Sequence, residues 1–297
     1  WGINPSSTRR KFKYPELMNI EIAIKNACKE LKNNQIESAL LDSELLLSTV
    51  IKKDRKFILL NLDKELDQND QDNFKDLILK RSRGKPLAYL TGTKSFWKYD
   101  FKVNEKVLIP RPDTEIIIEQ VLKIYKNKSH INFLGVGVGS GCIALSILKE
   151  KKSFFGTGID LSQDCIEICR YNAKKLGVNN RIKLLKSDVD NLIFRKYDFI
   201  VSNPPYIKKF DLNKLNREVI NYEPKLALDG GLEGLSVFRK IIKKSSELIK
   251  THGKLILEIG YDQKELVKKM LNENNFYVNE TLKDLAYNDR CIISTKK

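Results

Sequence analysis

The chain has 297 residues and carries 54 Lys+Arg against 38 Asp+Glu, a net charge of +16. No run reaches the roughly 18–20 apolar residues of a membrane helix, the five cysteines form no CxxC pair, and the two histidines, His130 and His252, lie far apart. A membrane span, a disulfide framework and a zinc site are therefore set aside, and a reduced cytoplasmic compartment is the reading. The charge favours acidic partners, RNA among them. It is +4 over residues 1–90 and +12 over the rest, so it is not confined to a tail.

In chain order, residues 1–14 are expected to be a flexible segment. They lack the apolar stretch of a signal peptide and an initiator Met, so a trimmed or extended start is expected. Residues 15–84 read as a helical domain. Apolar residues recur at helical spacing from Ile20 to Leu31, from Ala39 to Ile51 and from Phe74 to Leu79, and no glycine occurs between Gly2 and Gly84. Residues 85–110 read as a β-hairpin linker, with strands in Ala88–Gly92, Phe96–Val103 and Val107–Ile109. A helix is expected from Asp113 to Tyr125, capped by Asp113 or Thr114.

Residues 111–297 then alternate. Strands are expected at 131–136, 154–159, 182–186, 197–202, 254–259, 275–279 and 290–294, and helices at 142–150, 163–176, 234–250 and 263–272. This alternation predicts an α/β fold with a mainly parallel seven-stranded sheet covered on both faces. The ligand should lie beyond the carboxyl ends of its strands.

Gly137-Val138-Gly139-Ser140-Gly141 follows the first of these strands and opens a helix. Neither register satisfies G-x-G-x-x-G, because the sixth place is Cys142 or Ser140, and no Walker A lysine follows. The remaining pattern, G-x-G-x-G, is that of class I S-adenosylmethionine (SAM) enzymes, or else a plain tight turn. Asp160 ends the second strand, where a carboxylate can accept from both ribose hydroxyls; capping the next helix is the alternative. Asp188 ends the third, within reach of an adenine amino group, with a loop cap as its alternative.

Asn203-Pro204-Pro205-Tyr206 ends the fourth strand. Two prolines stop the ladder and stiffen the turn. They fix a carboxamide oxygen and a backbone carbonyl at the sheet edge, two neutral acceptors suited to a planar NH2 group. Tyr206 offers a stacking face. An amide nitrogen is a poor nucleophile, and two directed acceptors would orient it for methyl transfer. No base is needed before attack, so neither histidine need be catalytic.

With these residues in place, the sequence resembles the PrmC/HemK peptide-chain release factor glutamine methyltransferases. The resemblance is carried by Gly139–Leu145, Gly158-Ile159-Asp160, Ser202–Ile207, Arg83–Gly92, Glu223-Pro224, Gly230–Leu235 and above all Leu108–Glu115. It implies a class I SAM-dependent methyltransferase with a helical substrate-recognition domain. The implied reaction methylates N5 of the glutamine in the Gly-Gly-Gln motif of class 1 release factors. It implies cofactor contacts at Gly137, Val138, Gly139, Ser140, Gly141, Asp160, Asp188, Val189 and Asn203, and no metal. It implies that Asn203 and Pro204 act on the substrate glutamine, with Pro205, Tyr206, Phe101 and Arg111 beside it. The bland alternatives are hairpin core for Phe101 and an ion pair for Arg111.

Two departures stand out. Gly135 occupies a place that is usually acidic in the family, and Val189 replaces a large aromatic beside Asp188. Ribosomal-protein glutamine methyltransferases and DNA or RNA amino-group methyltransferases share the Asn-Pro-Pro-Tyr motif, and an inactive binding module is a third reading. Pro110–Asp113 argues against the first. The stretch of under thirty residues after Tyr206 is too short for the target-recognition region of the second. The intact Asn203–Tyr206 turn argues against the third. Direct nucleic-acid binding is thus set aside, and a monomer is the default.

Overall fold

The computed structural model describes residues 18–193 and 196–297; the expected flexible segment 1–14 lies outside them. The chain forms two compact units that divide between Thr91 and Gly92.

The first unit contains α1 (Ile20–Asn33), α2 (Ala39–Ile51), α3 (Arg55–Leu60), α4 (Gln68–Ser82) and α5 (Leu87–Thr91). Asn19, Asp54 and Asp67 precede three of these helices, and their side chains accept from Ile22 N, Phe57 N and Asp70 N at 2.8–2.9 Å. Each such cap contributes about 1 kcal/mol. The stripe Ile20, Ala23, Ile24, Ala27 and Leu31 joins Leu46, Leu47, Ile58, Phe74 and Ile78 in one apolar core. Arg81 Nε meets Asp42 Oδ2 at 2.6 Å with both side chains buried, so removing either partner would strand a buried charge.

The expected strand at Ala88–Gly92 is instead helix α5 with a terminating glycine. Pro86 is the cause: its fixed φ suits a first turn, and its carbonyl accepts from Tyr89 N and Leu90 N. Gly92, at φ +71°, then turns the chain out of the helix.

In the second unit, β1 (Thr93–Phe96) and β2 (Tyr99–Lys102) form an antiparallel hairpin. Val107–Ile109, expected as a strand, joins no ladder. Ile109 N donates to the Glu223 side chain, and Pro110 ends any run of donors. The remaining elements are α6 (Glu115–Ile124), β3 (Asn132–Val136), α7 (Cys142–Glu150), β4 (Phe155–Asp160), α8 (Gln163–Lys175), β5 (Ile182–Lys186), β6 (Tyr197–Ser202), α9 (Arg217–Tyr222), α10 (Ser236–Leu248), β7 (Ile249–Glu258), α11 (Lys264–Glu273), β8 (Phe276–Lys283) and β9 (Asp289–Lys296).

β3 to β9 build one sheet in the order β5-β4-β3-β6-β7-β9-β8. Only β9 runs against its neighbours. The order reverses between β3 and β6, and open α/β sheets bind ligands at the carboxyl side of such a switch.

Side chains of successive strand residues alternate between two apolar layers. Phe133, Phe199, Val201 and Ile256 pack with α6, α7 and α8, and Phe133 stacks on Phe199 with centroids 4.9 Å apart. Leu134, Ile200, Leu255 and Leu257 pack with α10 and α11. Asn172 of α8 accepts from Lys102 N at 2.8 Å and donates to the carbonyls of Lys102 and Ser140. One buried amide thereby ties the hairpin to the loop that leaves β3.

Candidate active site

The loops that follow β3, β4, β5, β6 and β7 lie at the carboxyl end of the sheet. The first is Gly137–Gly141 after β3. Gly137, Gly139 and Gly141 have φ of +67°, +54° and +87°, the left-handed region that side chains rarely adopt. A Cβ on Gly137 or Gly139 would meet nothing within 4 Å, whereas one on Gly141 would strike Cys169 and Leu145. The loop therefore presents bare backbone to open space on one side and packs tightly on α7 and α8 on the other. That open, side-chain-free cradle beside a strand-end carboxylate suits a nucleoside carrying an amino-acid tail.

Asp160 locks the loop. Its Oδ2 accepts from Gly139 N and its Oδ1 from Ser162 N, both at 2.9 Å. The expected alternative, a cap for α8, belongs instead to Ser162, whose hydroxyl accepts from Cys165 N. Asp188 at the end of β5 accepts from Asp190 N at 3.1 Å and faces Lys240 Nζ at 3.5 Å. Val189 is buried in the α10 layer.

Asn203 follows β6. Its Nδ2 donates to Thr114 Oγ1 at 3.2 Å, and neither its Oδ1 nor the Pro204 carbonyl has a hydrogen-bond donor among the described residues. Asp113 or Thr114 was expected to cap the helix after Pro112; Thr114 holds the cap position but makes no capping bond, and its hydroxyl is turned to Asn203 instead. A short 3-10 turn at Pro112–Thr114 precedes α6.

Gln263 holds the Asn-Pro-Pro-Tyr turn from behind. Its Nε2 donates to the carbonyls of Tyr206 and Gly234, both at 3.0 Å, and its Oε1 accepts from Gly260 N. A Cβ on Gly234 would collide with the Tyr206 carbonyl, which explains the glycine there. Ile207 pairs with the Leu228–Gly230 segment through two backbone hydrogen bonds.

Tyr206 Oη reaches Glu258 Oε1 at 3.3 Å and receives Arg290 Nη1 at 3.4 Å. Burial beside the Glu258 carboxyl pushes the Tyr206 phenol far above its ordinary range, so it stays protonated. Arg111 pairs with Glu223, which also accepts from Ile109 N; this is the ion pair weighed against a substrate role. Phe101 is fully buried edge-on against Phe96. Alternation along β2 turns it into the core.

Gly135 lies buried in β3, where a Cβ would touch Val138 at 3.3 Å and Ala144 at 3.5 Å. Sequence reasoning passed over Glu258, Gln263 and Arg290. The signal for Glu258 was present, a lone acid in the apolar run Leu255–Ile259. Gln263 and Arg290 carry no such local signal. Among the described residues no cluster of His, Cys, Asp and Glu could hold a metal ion, and no helix is long and apolar enough to cross a membrane.

Comparison with known proteins agrees with this arrangement. The family described as "PrmC N-terminal domain" matches residues 23–92, and "Methyltransferase small domain" matches residues 113–233. The release factor glutamine methyltransferase of Clostridium acetobutylicum is 37% identical over 94% of this chain and 99% of its own length. The bifunctional methyltransferase of Rickettsia conorii is 34% identical over 93% of this chain, and the match spans 57% of that longer protein. A methyltransferase from Pyrococcus furiosus has the same fold, with a TM-score of 0.52 at 20% identity over 76% of this chain and 98% of its own.

A glycine loop, a strand-end acid and an Asn-Pro-Pro-Tyr turn on this sheet define a class I methyltransferase. Within that class, the chain belongs to the release factor glutamine methyltransferase family.

Proposed function

We propose that the protein methylates the side-chain amide nitrogen of the glutamine in the Gly-Gly-Gln motif of class 1 release factors and so modulates translation termination. The observation that carries this reading is the Asn203 carboxamide, held by its nitrogen and carrying a free oxygen at the topological switch. S-adenosylmethionine, when bound, supplies an electrophilic sulfonium methyl group. Gly137–Gly141 and Asp160 would hold it, with Val138, Ser140, Asp188, Val189 and Asn203 bordering it.

Asn203 Oδ1 and the Pro204 carbonyl would each accept one N–H of the substrate amide. That grip turns the planar NH2 group and favours electron density on its nitrogen. Orientation of the two reactants supplies most of the rate. The methylated nitrogen becomes acidic and sheds its proton to solvent, so no histidine takes part. Pro205 and Tyr206 form the wall behind the amide, and the Arg111–Glu223 pair props the segment that carries Thr114. Phe101, buried against Phe96, would act only by holding the hairpin. The helical unit would recognise the release factor, and the enzyme would work in the cytoplasm as a monomer, without membrane or nucleic-acid contact.

The test is incubation with labelled S-adenosylmethionine and either a purified release factor or its Gly-Gly-Gln→Gly-Gly-Ala variant. Label on the first alone is expected. Label on neither, but on DNA or ribosomal RNA, would overturn the reading.

A further inference from the structure

Glu258 ends β7 beside the acceptor turn. By the period of two it shares the face of Ile256, turned toward α6 and α7. It is only 2% exposed, and its Oε2 has no hydrogen-bond partner among the described residues. Its Oε1 accepts from Tyr206 Oη at 3.3 Å. The Thr114 hydroxyl stands beside the same carboxyl and favours its charged form. Thr114 in turn accepts from Asn203 Nδ2.

We infer that Glu258 is a positioning residue that sets the Asn203 carboxamide through the Thr114 hydroxyl and fixes the Tyr206 wall through its phenol. A hydroxyl has one proton and two lone pairs. With Glu258 ionised, the Thr114 proton turns toward the carboxylate, and a lone pair of Thr114 faces Asn203. The carboxamide then keeps its nitrogen inward and its oxygen free for the acceptor. With Glu258 protonated, the acid donates to one Thr114 lone pair, the hydroxyl proton is released from the carboxyl and can turn to Asn203, and the carboxamide can flip to present its oxygen to it.

Two charged neighbours of Glu258 bear on this switch. Arg290 of β9 favours the carboxylate and Asp113, ahead of α6, opposes it. Around it stand the neutral Tyr206 and the thiols of Cys142 on α7 and Cys291 on β9, which burial pushes up first and the Glu258 carboxyl pushes up further. Burial outweighs the favourable partners and raises the carboxyl to about 7. The amide-orienting state is therefore gained as pH rises through neutrality.

This inference rests on the proposed function for its kinetic arm only. Glu258→Gln and Thr114→Val should bind S-adenosylmethionine within about threefold of wild type by calorimetry while turnover falls about 10- to 100-fold. Wild-type turnover should rise through pH about 7, a limb missing in Glu258→Gln. Thr114→Ser should retain both rate and limb. Unchanged turnover and an unchanged pH profile in Glu258→Gln would overturn the inference.

A second readout needs neither substrate nor cofactor. The side-chain 15N resonances of Asn203 should titrate with the Glu258 carboxyl in wild type and stay flat in Glu258→Gln. Resonances that ignore pH in wild type would overturn the relay. If wild type modifies no release factor, the proposed function falls, and the Asn203 resonances still decide the relay.

Discussion

The two sides of the site are made from different materials. On the cofactor side, shape comes from backbone. Three glycines in left-handed conformations form the loop, and main-chain N–H groups of Gly139 and Ser162 hold Asp160. All of this falls within 26 residues of sequence. On the acceptor side, shape comes from side chains far apart in the chain. Thr114, Asn203, Tyr206, Glu258, Gln263 and Arg290 meet there from four separate stretches of chain. A backbone cradle tolerates different side chains around it, whereas a side-chain frame fails when one member is lost.

That contrast predicts unequal responses to mutation. The largest should come from Asn203→Ala, which removes the acceptor for the substrate amide. Turnover should fall by about 10²–10³-fold, while S-adenosylmethionine binding changes little. A calorimetric titration showing equal loss of both would mean that Asn203 serves the cofactor instead.

A smaller effect concerns stability and pH. Glu258 has a folded-state pKa raised from 4.5 to about 7, so between those values the folded protein holds a proton that the unfolded chain has released. Stability contributed by this group is therefore full below pH about 4.5 and is lost as pH rises through about 7. Glu258→Gln cannot lose a proton and should be more stable than wild type above neutrality, by about 3 kcal/mol. The difference should vanish near pH 4, and denaturant titrations at the two pH values measure it. A constant difference would place the effect elsewhere.

The smallest expected change is a gain. Gly135→Asp should tighten S-adenosylmethionine binding, because it supplies an acid beside the loop. The added Cβ alone would ask Val138 Cγ1, at 3.3 Å, to give a few tenths of an ångström and would rest in ordinary contact with Ala144 Cβ at 3.5 Å. Equal or weaker binding would show that the loop is already complete without it.

The same contrast explains how much could be read in advance. The glycine loop, Asp160 and Asn203 follow strands that alternate visibly with helices, so local pattern sufficed for them and for the seven-stranded sheet. The hairpin was legible only in its middle. Ala88–Thr91 carries the bulky residues of a strand, yet Pro86 pre-sets a helical turn. Thr114 occupies the ordinary place of a cap, and only the proximity of Asn203, 89 residues on, redirects it. Gln263 reads as the start of α11. Its three partners, Tyr206, Gly234 and Gly260, become neighbours only after the sheet has formed.

The Gln263 clamp has a consequence of its own. A carboxamide neither gains nor loses a proton at any ordinary pH. The turn that carries Asn203 and Tyr206 is therefore pinned by a group blind to acidity, while Glu258, the acid it encloses, responds to pH near neutrality. The pocket wall keeps its outline while its interior polarity changes, so acidity can tune the alignment of the acceptor without loosening the scaffold around it.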